Sequence, residues 1–196
     1  MELMIVVAVI AVMAAAVVPS VASLSGADAR QAAGELAGSL RYLFDTAALR
    51  HATCRMVLDL DGRSFAAECA PRLVGVARGE GGRPPAPEDE EDLADRFPDE
   101  QDAARRRLLA KSRFGGFSDR LLKKRELPGR TEIREVRVEG VTDPIVDGKA
   151  YVHFFPGGQA GRAYVEVADG NALYTVVVEP YTGRARVVTG AVEERR

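Results

Sequence analysis

The chain has 196 residues, and its 27 Lys and Arg nearly balance its 29 Asp and Glu. This length is enough for one domain with appended segments, and the net charge of −2 gives no bulk electrostatic reason to expect nucleic acid as a partner. Two Cys and two His provide little material for a metal cluster, so we expect no metal and no cofactor.

The chain opens with a run of sixteen apolar residues from Leu3 to Val18, preceded by Glu2 and followed by Pro19. A membrane-spanning helix needs about 20 apolar residues, whereas about 10–14 indicate a core helix or the apolar part of a secretory signal. Small residues at 27–29 suit a signal cleavage site, but no Lys or Arg precedes Arg30, so the basic start of a signal is missing. An acid at the end of a membrane helix indicates a specific partner.

This segment resembles the N-terminal helix of type IV pilins and type II secretion pseudopilins. The resemblance rests on Glu2, the apolar run and Pro19, which follows Glu2 by seventeen positions as in that family. It implies that Glu2 pairs with the N-terminal amine of a neighbouring subunit during assembly. It also implies that a prepilin peptidase removes a leader and that the new N-terminus is methylated. Pro19 is expected to kink the helix.

The family's basic leader and the Phe-Thr-Leu before its acid have no counterpart ahead of Glu2, because the sequence starts at Met1. We therefore expect Met1 to be an internal Met of a longer reading frame. The preceding codons should then encode a sequence similar to Arg-Gly-Phe-Thr-Leu. A stop codon with nothing pilin-like upstream is the result that contradicts this expectation.

Residues 20–52 are predicted to continue the helix in an amphipathic form. Leu36, Leu40, Leu43 and Ala47 recur at spacings of four, three and four residues, which places them on one helical face. This face is expected to pack on a core. A helix of about 50 residues is roughly 75 Å long, which suits a subunit whose apolar half stacks with its copies while the other half carries a domain.

A β-hairpin is predicted next, because Asp61-Gly62 separates two short runs suited to strands. With this dipeptide as a two-residue turn, Cys54 stands directly opposite Cys69, about 5.5 Å away between Cα atoms if the pair is hydrogen-bonded. A disulfide fits that spacing, and a domain outside the cytoplasm lies in an oxidising compartment. We therefore predict a Cys54–Cys69 disulfide; the alternatives are two half-buried thiols, or a shifted turn that separates them.

The segment 78–126 breaks the pattern with a Gly- and Pro-rich start, five consecutive acids at 88–92 and a mostly basic stretch from Arg105 to Arg125. It holds twelve basic and twelve acidic residues, and segregated charge of this kind is typical of solvated or disordered segments. We expect a flexible loop inserted in a β domain. A docking arm is the alternative, and nucleic-acid binding is disfavoured because only Phe114 and Phe117 accompany the basic cluster.

From Thr131 onward the chain is predicted to be β structure. Short alternating runs separated by Gly and Pro turns indicate an antiparallel sheet or a small sandwich. The first run has an irregularity after Ile133. The predicted runs are Ile133–Val138, Ala150–Phe155, Ala163–Val167, Leu173–Val178 and Ala185–Val188.

Two turns in this region resemble those of the GspH/FimT-like minor pseudopilins. They are Phe154–Gly158, an aromatic residue followed by a Gly turn, and Val178–Arg184, which contains Pro-Tyr-Thr-Gly-Arg. The resemblance implies an α+β, pilin-like fold in which a long N-terminal helix packs on an antiparallel β-sandwich. Residues 53–196, here called the head, then form the β domain with the insert 78–126.

No catalytic site is predicted. His51 falls at the end of the predicted helix and His153 within an alternating strand, where packed or surface histidines are common, and no nucleophile, phosphate-loop or zinc motif occurs. We therefore expect a structural protein and not an enzyme.

The expected function is that of a minor pseudopilin in the periplasmic pseudopilus of a type II secretion system. Residues 1–19 then form the inner-membrane and assembly half of the helix, the head lies in the periplasm, and other pseudopilins are the partners. One alternative is a minor type IV pilin of a fimbrial, motility or DNA-uptake system. Another is a membrane-anchored periplasmic binding domain. This alternative predicts a monomer with a ligand pocket, whose function does not depend on Glu2.

Overall fold

The computed structural model describes residues 7, 25–70, 114–116, 119 and 122–192. From residue 25 onward these form one helix and ten strands in an α+β arrangement. The helix, α1, is Ser25–Arg50. The strands are β1 Thr53–Asp59, β2 Ser64–Ala70, β3 Gly115–Gly116, β4 Arg125–Glu126, β5 Glu132–Val138, β6 Lys149–Phe155, β7 Gln159–Ala160, β8 Ala163–Asp169, β9 Ala172–Val178 and β10 Ala185–Thr189.

The helix buries one continuous face. The predicted apolar face is confirmed, since Leu36, Leu40, Leu43 and Ala47 are fully buried. Alanines at four further positions extend that face toward the N-terminus, and their small side chains let the helix approach the sheets closely. These alanines are Ala29, Ala32, Ala33 and Ala37.

The helix ends in a Schellman motif. The His51 N–H donates to the Ala48 carbonyl at 3.4 Å, and the Ala52 N–H donates to the Ala47 carbonyl at 3.1 Å. His51 holds the left-handed conformation with φ of 50°, a position that glycine usually takes. The predicted helix end is therefore correct, and His51 reverses the chain into β1.

The strands form two antiparallel sheets. The first has the order β3-β2-β1-β6-β7, with β4 also paired to β2, and the second has the order β10-β9-β8-β5. The register of β5 against β8 shifts between Ile133 and Glu135, where the sequence predicts an irregularity. All five predicted strands of the C-terminal half are present.

Helix α1 contacts strands of both sheets, and the inward side chains of all three form one core. Phe154 of β6 is the largest fully buried side chain among the described residues. The ring of Phe44 meets it edge-on at a centroid distance of 6.5 Å. Packing of the helix against two sheets at once therefore holds the head together.

The hairpin between β1 and β2 has the predicted register. The Arg63 N–H donates to the Leu60 carbonyl at 3.4 Å, so Asp61 and Gly62 are the two central residues of the turn, as predicted. The regular strands end one pair earlier, at Asp59 and Ser64. This is because the Leu60 N–H donates to the Gly148 carbonyl at 2.9 Å, and the Arg63 carbonyl accepts from the Leu127 N–H at 2.9 Å.

The described part of the charged insert contains two short strands and a core residue in addition to loop. Strand β3 pairs with β2 at Glu68 and Cys69, and β4 pairs with it at Ser64 and Phe65. Leu122 is 2% exposed and joins the core. The last part of segment 78–126 therefore belongs to the head, because β2 offers it an open edge.

Candidate assembly surface

The residues predicted to direct assembly, Glu2 and Pro19, lie outside the described residues, as does the apolar run apart from Val7. None of the helical segments that the structure describes has both the length and the apolar composition that a membrane span requires. The described helix begins at Ser25 and so represents the predicted amphipathic half. Its exposed face is the part of the predicted assembly surface that the structure shows.

The exposed face of α1 runs along the whole helix, opposite the buried face. Two residues without side chains, Gly34 and Gly38, lie at the centre of this face. A Cβ added at either position would meet no atom within 4 Å. Near the C-terminal end, Leu49 is 82% exposed. The exposed positions are Ala27, Arg30, Gln31, Gly34, Gly38, Arg41, Tyr42, Asp45, Leu49 and Arg50.

One flank of this face is bridged to the returning end of the insert. Arg125 pairs with Glu35 at 3.2 Å, and the Tyr42 hydroxyl donates to the Asp119 carboxylate at 2.9 Å. The hydrogen bond to Asp119, followed by desolvation, raises the pKa of the Tyr42 phenol above its usual 10.0. The insert therefore borders the helix and fixes the width of its exposed face.

The predicted disulfide is present between Cys54 and Cys69. These residues face each other in the β1–β2 register, and Cys54 is fully buried. Their Cα atoms are 4.0 Å apart, closer to the spacing of a non-hydrogen-bonded pair, about 4.5 Å, than to the 5.5 Å of a hydrogen-bonded one. The bond ties the start of β1 to the end of β2, where the chain leaves for the insert.

A cation lies between two aromatic rings on the outer face of the first sheet. The Arg55 guanidinium is 4.2 Å from the centroid of Phe114 and 4.5 Å from that of Tyr151. The same group pairs with Glu68 at 2.7 Å. Arg55 thereby holds Phe114, the residue before β3, against the sheet. Burial raises the pKa of the Tyr151 phenol above its usual value.

Strand β6 extends this cluster with a ladder of rings. His153 stacks between Tyr151 and Phe155 at centroid distances of 6.5 Å, and Phe114 meets it edge-on at 6.1 Å. His153 is 8% exposed, so of the two predicted states, surface or packed, the packed one is present. The alternation of Tyr, His and Phe along β6 is the sequence signal for the ladder.

A second charged cluster lies on the outer face of the second sheet. Arg137 contacts Glu135 at 2.9 Å and Glu166 at 3.2 Å, and it donates to the Val192 carbonyl at 3.0 Å. Its guanidinium also lies 5.3 Å from the centroid of Tyr164. The cluster holds the chain after β10 across the sheet, and no local sequence pattern predicts it.

The described residues offer an open depression and no cluster suited to a metal ion. No group of three or more His, Cys, Asp or Glu side chains within these ranges is placed to hold a metal ion. An open depression of about 570 Å³ lies beside the start of α1, lined by Gly26, Ala27, Arg30, Gln31 and Tyr174. Arg30 is the one charged residue among those that line the depression, so the depression holds no pair of an acidic and a basic side chain.

The chain matches no protein-family profile, and a search of curated proteins finds no relative. A search of solved structures finds similarity to the minor pseudopilin EpsH from the type 2 secretion system of Vibrio cholerae. The TM-score is 0.46 at 11% sequence identity, over 84% of this chain and 97% of that chain.

Proposed function

We propose that this chain is a structural subunit of a pilin-like filament, specifically a minor pseudopilin of a type II secretion system in the GspH/FimT-like branch. The observation that carries the proposal is the division of α1 into two faces. One face is buried against both sheets of the head, while the opposite face is exposed along the 26 residues of the helix. The apolar run precedes this helix in the chain.

This division suits a subunit that packs laterally with its copies. The head sequesters only the Leu- and Ala-rich face, so the Gly34 and Gly38 side remains available to neighbouring helices. Small residues allow helix backbones to approach closely. The apolar run then serves as the inner-membrane and assembly half, and Glu2 pairs with the amine of the next subunit, because a carboxylate in a low-dielectric bundle requires a partner.

The Cys54–Cys69 disulfide supports a head in the periplasm, since such bonds persist in oxidising compartments. Prepilin peptidase cleavage and N-methylation belong to the same proposal. So does a non-enzymatic role, because the charged clusters of Arg55 and Arg137 fix parts of the fold in place.

The proposal is tested with Glu2→Ala in the native host, expressed from the genomic locus with its upstream sequence. Glu132→Ala, which removes an exposed acid at the start of β5, is the matched control. We expect both variants to reach the membrane fraction and only Glu2→Ala to lose filament incorporation and secretion. Normal assembly of Glu2→Ala refutes the role. Mass spectrometry of the N-terminus should find an N-methylated Phe upstream of Glu2, whereas a start at Met1 or near Ala29 contradicts processing.

A further inference from the structure

The edge strands of the two sheets differ in whether another segment pairs with their outer side. The edge of β2 is covered in part by β3 and β4, and that of β6 by β7. The edge of β5 is bridged by Ile145, which exchanges two 2.9 Å hydrogen bonds with Val136. Within the described part of the chain, β10 has a partner on one side only, namely β9.

The hydrogen-bond phase of the β9–β10 ladder shows which groups this edge presents. At one end of the ladder, the Glu179 N–H donates to the Arg184 carbonyl at an N–O distance of 3.0 Å. At the other end, the Gly190 N–H donates to the Leu173 carbonyl at 2.8 Å. Hydrogen-bonded pairs alternate in antiparallel strands, so the even-numbered residues of β10 bond to β9. The N–H and C=O groups of Ala185, Val187 and Thr189 point away from it, and no hydrogen bond among the described residues uses them.

Two of these three residues, Val187 and Thr189, are exposed to solvent and are here called the β10 edge, whereas Ala185 is buried. Val187 is 37% exposed, and Arg186 and Thr189 are also exposed. Natural proteins usually blunt such edges with Pro, Lys or a bulge. Strand β10 has no Pro, Lys or register shift, and its one charge, Arg186, is partly compensated by Glu179 at 3.7 Å.

A second copy of this chain is a poor occupant of the β10 edge. Gly26 lies next to Ala172, whereas Phe44 lies against Gly183, so α1 runs along β9 and antiparallel to β10. Symmetric antiparallel pairing of two β10 strands would therefore set two α1 helices antiparallel. Under the proposed function, by contrast, all subunits enter one membrane in the same orientation.

We propose that the β10 edge binds an extended strand from a neighbouring, different subunit of the filament. Main-chain hydrogen bonds to Val187 and Thr189 supply the affinity, as in other strand additions. The exposed cations Arg184 and Arg186 favour a carboxylate on the outer face of the incoming strand, and Val187 favours an apolar side chain on the helix face. This inference rests on the proposed function, because it takes the filament neighbour as the source of the strand.

The test compares Val187→Pro with Val146→Pro in the full chain in its native host. Proline removes the outward N–H of Val187 and leaves the β9 ladder intact, a substitution that edge strands accept. Val146 is the matched control because it is 63% exposed, follows the β5 bridge, and makes no backbone hydrogen bond among the described residues. We expect Val187→Pro alone to reduce incorporation into filaments about tenfold, the change that about 1.4 kcal/mol of lost binding produces.

A second measurement uses the otherwise unaltered chain with a photo-crosslinking amino acid at position 187 or 146, so it does not depend on how the proline variants fold. Position 187 should cross-link to one defined peptide of another filament subunit, identified by mass spectrometry, and position 146 should not. If the chain enters filaments but position 187 forms no such cross-link, the edge proposal is overturned and the proposed function stands. If the unaltered chain does not enter filaments, both are overturned.

Discussion

Phe44 of the helix occupies the space where a side chain at Gly183 would begin. Gly183 lies in the turn between β9 and β10 with φ of 60°, and a Cβ built there would overlap the Phe44 ring. The same ring meets Phe154 of the other sheet edge-on at 6.5 Å. One aromatic side chain of α1 therefore contacts both sheets, and the glycine gives it room.

Gly183→Ala is expected to destabilise the fold by roughly 2–4 kcal/mol, from the left-handed conformation and the displaced ring together. Gly170→Ala is the matched control, because Gly170 has φ of 58° and open space where the Cβ would lie. It should lose only the conformational part, about 1–2 kcal/mol. Denaturant unfolding measures both variants, and equal losses would show that contact with Phe44 contributes nothing.

The disulfide closes a loop with a sequence separation of 15, so removing it in Cys54→Ala/Cys69→Ala should cost about 3 kcal/mol. Most of this effect comes from the freedom that the unfolded chain regains. Denaturant unfolding with and without reductant provides the check. The wild-type chain should lose stability on reduction, whereas the double variant should be insensitive to reductant. A wild-type midpoint that reductant leaves unchanged contradicts the prediction.

Structural features that depend on residues close together in the chain are predicted well from the sequence. The helix face, the Cys54–Cys69 register and the irregularity after Ile133 each depend on local period or turn chemistry. The regular strands of the first hairpin end one pair before the predicted turn, because the Leu60 N–H and the Arg63 carbonyl bond to segments far along the chain.

Contacts that depend on strand order were not predicted. Strand β1 lies between β2 and β6, so Arg55 stands beside both Glu68 and His153, although β6 begins about 90 residues later in the chain. The placement of Phe114 over this row follows only once β3 pairs with β2. Local patterns in a charged insert carry no information about such pairing.

Arg137→Leu is expected to destabilise the head by about 2–4 kcal/mol, because it leaves the carboxylate of Glu166, whose side chain is 8% exposed, without its cation. Arg186→Leu is the control on the same sheet. It breaks a pair with Glu179 in which both side chains are largely exposed, so at most about 1 kcal/mol should be lost. Adding Glu166→Leu to Arg137→Leu should restore part of the stability. Equal effects of the two arginine variants in denaturant unfolding would contradict this interpretation.

The hydrogen bond between Tyr42 and Asp119 should be visible in the titration of the phenol. Because Asp119 raises the pKa of Tyr42 in the folded chain above 10.0, the neutral phenol is favoured by folding. The contribution of this contact to stability is therefore complete below the unfolded-state pKa and is lost as the pH rises through the folded-state pKa.

The absorbance of tyrosinate, recorded as the difference between wild type and Tyr42→Phe, isolates this one group. Asp119→Ala should move the titration of Tyr42 to lower pH, since it removes both the hydrogen bond and the negative charge. Asp45→Ala, which removes an exposed acid three positions along the same helix, should leave the titration unchanged. If Asp119→Ala has no effect, Asp119 does not hold this flank of the helix, and the bridge from the insert to α1 then depends on the pair between Arg125 and Glu35.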